Sequence, residues 1–259
     1  MPANYAHYRF GKLALPKLPA EARQCIDRFR RLYDIGLHGP DIFFYFNPAI
    51  DTAVGQLGHS YHTHSGQMFF SEACKKADSE AAKAYLLGVL GHYCLDSACH
   101  PYVNQLVSIG EVRHIAIESQ LERRLLLLDG VRSPETFDMS KRFRLTRGEC
   151  MTVAEFYPPA TGANVSQSVK HLAWCTHFLA SPNRQWRWKL LHRIKPELCD
   201  IFIPAEDDED CVLYVDELVT LYNEALNRYP EMAAQLLAHL KDGTELGEDF
   251  LPSFDPHND

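Results

Sequence analysis

The chain has 259 residues, with 26 Lys+Arg against 34 Asp+Glu and a formal charge of −8 at neutral pH. Its 46% hydrophobic and 23% charged residues exclude the disordered and collagenous classes and suffice for one large buried core. The negative balance argues against broad electrostatic attachment to nucleic acid or to an anionic membrane, while 13 His outnumber the 5 Met and 3 Trp together.

The opening residues, MPANYAHYRFG, lack the basic start and apolar core of a secretory signal peptide, so a cytoplasmic location is expected. From Pro19 to Gly36 the residues Ala22, Cys25, Ile26, Phe29, Leu32 and Tyr33 recur at helical spacing, with Gly36 as a suitable stop. Gly39 and Pro40 then set a turn that aims Asp41 inward. Ser79 to Cys99 reads as a helix at the centre of the core, capped by Ser79 and with Pro101 just beyond its end. Its neighbourhood, Ala84 to Val103, is the most apolar stretch of the chain, yet His92, Asp96 and His100 exclude a simple membrane span. A third long helix is expected from Glu111 to about Asp129, ended at Gly130.

Further helical patterns cover Val165 to Leu179, Asn183 to His192, Asp216 to Arg228 and Glu231 to Leu240. Only Ile201 to Ile203 and Val212 to Val215 have short β-like character. The fold class is therefore all-α, and the absence of repeats and linkers predicts one domain over residues 1–259. The acidic run Glu206 to Asp210 reads as a solvated loop, and Pro252 to Asp259 as a tail. Eight Cys without any C-x-x-C are expected to be reduced and mostly buried.

Two pairs could carry chemistry. His92-x-x-x-Asp96 and His114-x-x-x-Glu118 place both members on one helical face, where they can flank a metal ion. Spacing alone arises about as often by chance, so burial is what gives the first pair weight. His92, Asp96 and His100 form a polar stripe inside an apolar helix, where each group left unpartnered would cost ~1–3 kcal/mol. Core hydrogen bonds could account for any one of them, whereas a metal cluster satisfies all three together. Upstream stand His7, His38 and Asp41, then His59, His62 and His64, each of which also reads as a surface group or helix cap. Phe43, Phe44, Tyr45 and Phe46 either wall an apolar subsite or belong to the core. No H-E-x-x-H, Walker loop, G-x-G-x-x-G or G-x-S-x-G is present.

These strings resemble the bacterial zinc-dependent phospholipase C family, whose fold is similar to that of the fungal zinc-dependent single-strand nucleases. The resemblance rests on Asn4-Tyr5-Ala6-His7-Tyr8-Arg9-Phe10-Gly11, on Gly36-Leu37-His38-Gly39-Pro40-Asp41-Ile42-Phe43-Phe44-Tyr45 and on Tyr61-His62 followed by Phe69-Phe70. It continues through Gly88-Val89-Leu90-Gly91-His92-Tyr93-Cys94-Leu95-Asp96-Ser97-Ala98-Cys99-His100-Pro101-Tyr102 to His114-x-x-x-Glu118, and so covers residues 4 to 118. It implies a helical bundle around a central buried helix that holds two to three zinc ions. Asp41, His62, His92 and Asp96 look like one zinc shell, and His100, His114 and Glu118 like a second. His7 looks like part of a third, bridged to the first by Asp96, with His62 preferred over His59 and His64.

The secreted members complete that third site with an N-terminal Trp, where this sequence begins Met1-Pro2, and the larger toxins add a C-terminal β-sandwich that has no counterpart pattern here. The implied activity is phosphodiester hydrolysis, with phospholipid as a substrate class and Asp41 as the catalytic group that orients or deprotonates water. A zinc-dependent nuclease, a small-phosphoester hydrolase and a non-catalytic metal-stabilised binding protein are the alternatives. No strong nucleic-acid or membrane-surface signal accompanies these motifs.

Overall fold

In the computed structural model, which describes residues 3–48, 50–180, 184–194 and 196–256, the helices follow in the order α1 (Asn4–Ala14), α2 (Ala20–Arg28), α3 (Arg30–Gly36), α4 (Gly55–His62), α5 (Gly66–Cys74), α6 (Glu80–Ser108), α7 (His114–Leu128), α8 (Arg147–Ala154), α9 (Gly162–Ala180), α10 (Arg184–Ile194) and α11 (Val212–Asp242). Among the described residues there is no strand, only an isolated bridge between Ser65 and Ser253. Among the described residues no helix is long and apolar enough to cross a membrane.

Every residue of α6 from Tyr85 to Asp96 is buried, which requires neighbours on all sides. α3 and α11 supply two of them. A Cβ added to Gly36 would meet the Tyr85 carbonyl oxygen at 2.4 Å, and one added to Gly88 would meet that of Tyr33 at 2.3 Å, so the two glycines let the backbones of α3 and α6 touch. α11 buries Leu218, Tyr222, Ala225, Tyr229, Met232 and Leu236 at helical spacing, and Tyr229 donates its hydroxyl to the Leu87 carbonyl at 2.6 Å. One cluster of buried apolar side chains runs from Ala3 to Phe254.

Several boundaries differ from the sequence expectations, each for a packing reason. α6 is capped by Ser79, which accepts from the Ala82 amide at 3.1 Å, but it runs through Pro101 to Ser108. The roughly 3 kcal/mol that an interior proline costs is outweighed by the burial of Val103 and Leu106 beyond it. Likewise the two helices expected around Pro230 are one, and Val212 to Val215 form its first turn rather than a strand. The helix expected from Pro19 to Gly36 breaks at Phe29 (φ −123°, ψ 42°), which frees α3 to lie against α6. α1 was not expected at all. The Asn183 start assigned to α10 lies outside the described residues, as do residues 257–259 of the supposed tail, whereas Phe254 is fully buried and belongs to the core.

Candidate metal centre

Five elements deliver the polar side chains that the apolar core cannot otherwise accommodate. α6 presents His92, Asp96 and His100 on successive turns, and the start of α7 presents His114 and Glu118. Asp41 comes from a 3-10 stretch, Gly39–Tyr45, that opens with Pro40 at its first turn. Gly39 has φ +45°, and a Cβ there would lie 2.6 Å from His92 Cδ2, so both conformation and space demand glycine. His62 closes α4, and His7 sits on α1. The first backbone amides of α1, which its own N-cap residue leaves without a side-chain partner, are taken by the Glu122 carboxylate of α7: Tyr5 N–H and Ala6 N–H both donate to its Oε1. Glu122 thereby holds His7 in register with the rest.

Seven of the eight expected donors are buried, and His114 is half-buried. They converge on Asp96. Its Oδ1 is 3.3 Å from His7 Nε2, while its Oδ2 is 3.2 Å from His92 Nε2, 3.7 Å from His62 Nε2 and 3.9 Å from His100 Nδ1. Three sets of donor atoms lie within 4.8 Å of one another: His7, Asp41 and His92; His62, His92 and Asp96; and His100, His114 and Glu118. The first two share His92 and form one contiguous group, and the third adjoins it where His100 Nδ1 approaches Asp96 Oδ2. Glu118 Oε1 is 3.0 Å from His114 Nε2 and 3.4 Å from His100 Nε2.

These contacts are close but poorly hydrogen-bonded. Asp41 Oδ1, His62 Nε2, both nitrogens of His92, Asp96 Oδ2, His7 Nδ1 and Glu118 Oε2 are buried without a hydrogen-bond partner, although His62 Nε2 and Asp41 Oδ1 are only 3.0 Å apart. His62 shows why. Its Nδ1 lies 2.6 Å from the Gly58 carbonyl and so carries the proton, which leaves Nε2 as a lone pair facing two carboxylate oxygens. Such an arrangement requires a cation between them, either a second proton or a metal ion. Burial lowers the affinity of His62 for a proton, but Asp41 and Asp96 outweigh it and push its pKa up to about 10. Desolvation, with His7 and His62 nearby, pushes fully buried His92 down to about 4. Burial alone would raise the carboxyls of Asp41 and Asp96, yet the cationic groups around Asp41 and the imidazoles around Asp96 hold both well below the usual range, and His114 and His100 bring Glu118 to about 2 against the same penalty. Ionised carboxylates are donors that zinc takes directly, and the imidazole nitrogens become donors when the ion replaces the proton that the carboxylates hold on them.

Residues 6–155, more than half of the chain, match the family described as zinc dependent phospholipase C. The chain belongs to this family. Searches among curated proteins and among solved structures returned no match. The match to the zinc-dependent phospholipase C family contains all eight expected donors, and its zinc dependence agrees with a centre whose unpartnered atoms call for cations.

Of the remaining candidates, His38 is a core residue, pushed down to about 3 by burial and packed edge-on to Phe143. His59 is exposed at the rim, and half-buried His64 packs on Tyr61. Phe43 is core, whereas half-buried Phe44 lies against His62 with the rings 25° apart. Phe44, His59, His62, Thr63, His100, His114, Ile115 and Asp255 line a cleft of about 330 Å³ that opens on the centre.

Asp255 falls in the segment expected to be a tail. In fact residues 252–256 strap the centre: Gly66 N–H donates to the Pro252 carbonyl at 2.8 Å, Phe254 N–H to that of His64 and Asp255 N–H to that of His62. Asn104 Nδ2 donates to Asp255 Oδ1 at 2.7 Å, and that oxygen lies 3.6 Å from His100 Nδ1, with the Phe254 carbonyl at 3.4 Å. No periodicity in the sequence marks the strap. Glu122 could have been found, since it follows Glu118 by one turn on the buried face of α7.

Proposed function

We propose that this centre hydrolyses phosphodiesters in the manner of a phospholipase C, with phospholipid as the substrate class. The observation that carries the reading is the convergence of unpartnered imidazole and carboxylate atoms at the floor of an open cleft. In this reading Asp41, His62, His92 and Asp96 hold one zinc, His100, His114 and Glu118 hold a second, and His7 with Asp96 contributes to a third. The chain acts as one domain, because the strap at residues 252–256 covers donors that all lie before residue 119. When bound, zinc supplies positive charge for the phosphoryl oxygens and lowers the pKa of water toward ~7. Asp41 Oδ1, buried without a hydrogen-bond partner and ionised, orients the attacking water. Phe44 offers an apolar wall to the group esterified to phosphate. A chain of net charge −8 can bind an anionic substrate because the field at the cleft is set by the local cations.

Zinc-loaded protein should be assayed on bis-nitrophenyl phosphate, on phosphatidylcholine and on single-stranded DNA. Turnover of phosphatidylcholine above that of DNA supports the reading, and DNA as the preferred substrate replaces it with a nuclease. Asp41→Asn should abolish turnover and retain most of the metal. If the protein holds its zinc and hydrolyses none of the three, it is a metal-stabilised binding protein.

A further inference from the structure

All three tryptophans lie on α9 and α10, which carry none of the expected donors, and all are exposed: Trp174 by 60%, Trp186 by 56% and Trp188 by 39%. Large aromatic side chains are seldom left so wet without a partner. α10, with the sequence RQWRWKLLHRI, contains four Lys or Arg, no acidic residue and no buried residue, in a chain of formal charge −8.

One apolar stripe runs along it, with cations on both sides. Trp186, Leu190 and Ile194 recur at i, i+4 and i+8 and so form one stripe, with Leu190 50% and Ile194 70% exposed. Exposed Lys189 and Arg193 run beside that stripe. On the inner side Arg184 donates to the carbonyls of Glu135 and Ile203, and Arg187 donates to that of Phe178 at 2.7 Å. The Arg187 guanidinium lies 4.5 Å from the ring centroid of Phe178 and 5.6 Å from that of Trp186, and Phe178 stacks on Trp174 at 5.1 Å. Trp174, Phe178 and Trp186 are thus joined into one patch by the Arg187 cation.

A helix meant only for water would carry polar side chains along that stripe, and an apolar protein partner would not call for the row of uncompensated positive charge beside it. Rings and aliphatic side chains flanked by Lys and Arg fit a phospholipid interface, where the rings enter at headgroup depth and the cations meet anionic headgroups. α10 has 11 residues, too few to span a bilayer and enough to lie in its plane. We infer that the α9–α10 face docks the protein on an anionic phospholipid surface. The whole-chain charge hides this local sign. The other side of α10 contributes Trp188 and His192 to a pocket of about 600 Å³ that Arg113 also lines, and Arg113 directly precedes His114 of the metal centre, so surface and centre meet at the first turn of α7. The inference goes beyond the hydrolase reading and does not rest on it, because docking is measured without turnover.

The test is sedimentation of the full zinc-loaded chain with vesicles of phosphatidylcholine alone and of phosphatidylcholine with phosphatidylglycerol, with tryptophan emission followed in parallel. Asp41→Asn serves as a second background, so that hydrolysis does not erode the vesicles. Binding is expected for the anionic vesicles only, with a blue shift of emission. Lys189→Gln with Arg193→Gln should weaken it about 30-fold, from about 5-fold per charge, and Trp186→Ser with Ile194→Ser should weaken it at least about tenfold. Turnover of soluble bis-nitrophenyl phosphate should be the same in both double variants as in the unchanged chain. If the serine variant fails to fold, the charge variant decides alone. Absence of binding, equal binding to both vesicle types, or a concentration-dependent dimer abolished by the same substitutions overturns the inference, the last by assigning the face to a second copy of the chain.

Discussion

Among the described residues Asp96 is the one carboxylate within 4 Å of four imidazoles, those of His7, His62, His92 and His100, and Asp96→Asn isolates what its charge does. Asparagine keeps the shape but offers a weaker donor, so the contiguous group of His7, Asp41, His62, His92 and residue 96 loses the oxygen charge that its imidazoles share. The adjoining group of His100, His114 and Glu118 keeps all of its donors. Each zinc site occupied at a free concentration 100-fold above its dissociation constant adds ~2.7 kcal/mol to stability. For a chain of this size that is roughly 5–10 °C in melting temperature per site. Metal content by mass spectrometry and melting with and without a chelator read the effect. The unchanged protein should carry about two or more zinc equivalents and lose roughly 10–20 °C on chelation. The variant should retain about one equivalent and lose about half as much. A variant with the full zinc complement and the full chelation shift would show that Asp96 is a core hydrogen-bonding residue and refute the assignment of the group to metal.

Gly39→Ala should lower zinc content without removing any donor, because φ +45° and the 2.6 Å approach to His92 Cδ2 make the new methyl push the imidazole aside, at a cost of ~1–3 kcal/mol; denaturant unfolding and metal analysis together check this. Burial raises the pKa of Glu122 from 4.5 to about 8, against the stabilising amides of Ala6 and Tyr5. Between those values the folded protein keeps a proton that the unfolded chain releases, so stability falls as pH rises through that window, by at most ~1.4 kcal/mol per pH unit. Glu122→Gln, which still accepts from the two amides, should flatten that slope in urea titrations of chelated protein at pH 5 and pH 8. Asp255→Ala should weaken the zinc held by His100, His114 and Glu118 by about tenfold in a chelator competition, since partners of metal-bound histidines tune affinity by that order; an unchanged affinity would make the strap a covering segment only.

What the sequence displays depends on whether the physics is local. His92, Asp96 and His100 stand out because three ionisable groups interrupt a helix that is otherwise apolar all round, and a polar stripe in such a helix has few innocent explanations. The long helices were legible for the same reason of period. Pro101 and Pro230 misled, since a proline is read as a stop from its missing amide, whereas the burial of residues on both sides decides whether the helix continues. α1 escaped because its 11 residues bury a histidine on the face where the period requires an apolar side chain, and because its N-terminal amides are capped from α7, more than a hundred residues away. Asp255 left no trace at all, as its position depends on Asn104 and on the carbonyl of His62. The family resemblance ordered the donors but was silent on Glu122, on the strap and on α10, whose composition is visible in the sequence while its exposure is not.

The strap also imposes an order in time. During synthesis every donor from His7 to Glu118 emerges before the segment 252–256 that closes over them, with more than a hundred residues still to be made. At about 5–20 residues per second this interval is roughly 10 s, long compared with helix formation and collapse. The nascent chain can therefore gather its donors, and capture metal ions, while one side of the centre still stands open to the solvent. Phe254 and Asp255 then arrive late and close over side chains that have already been brought together.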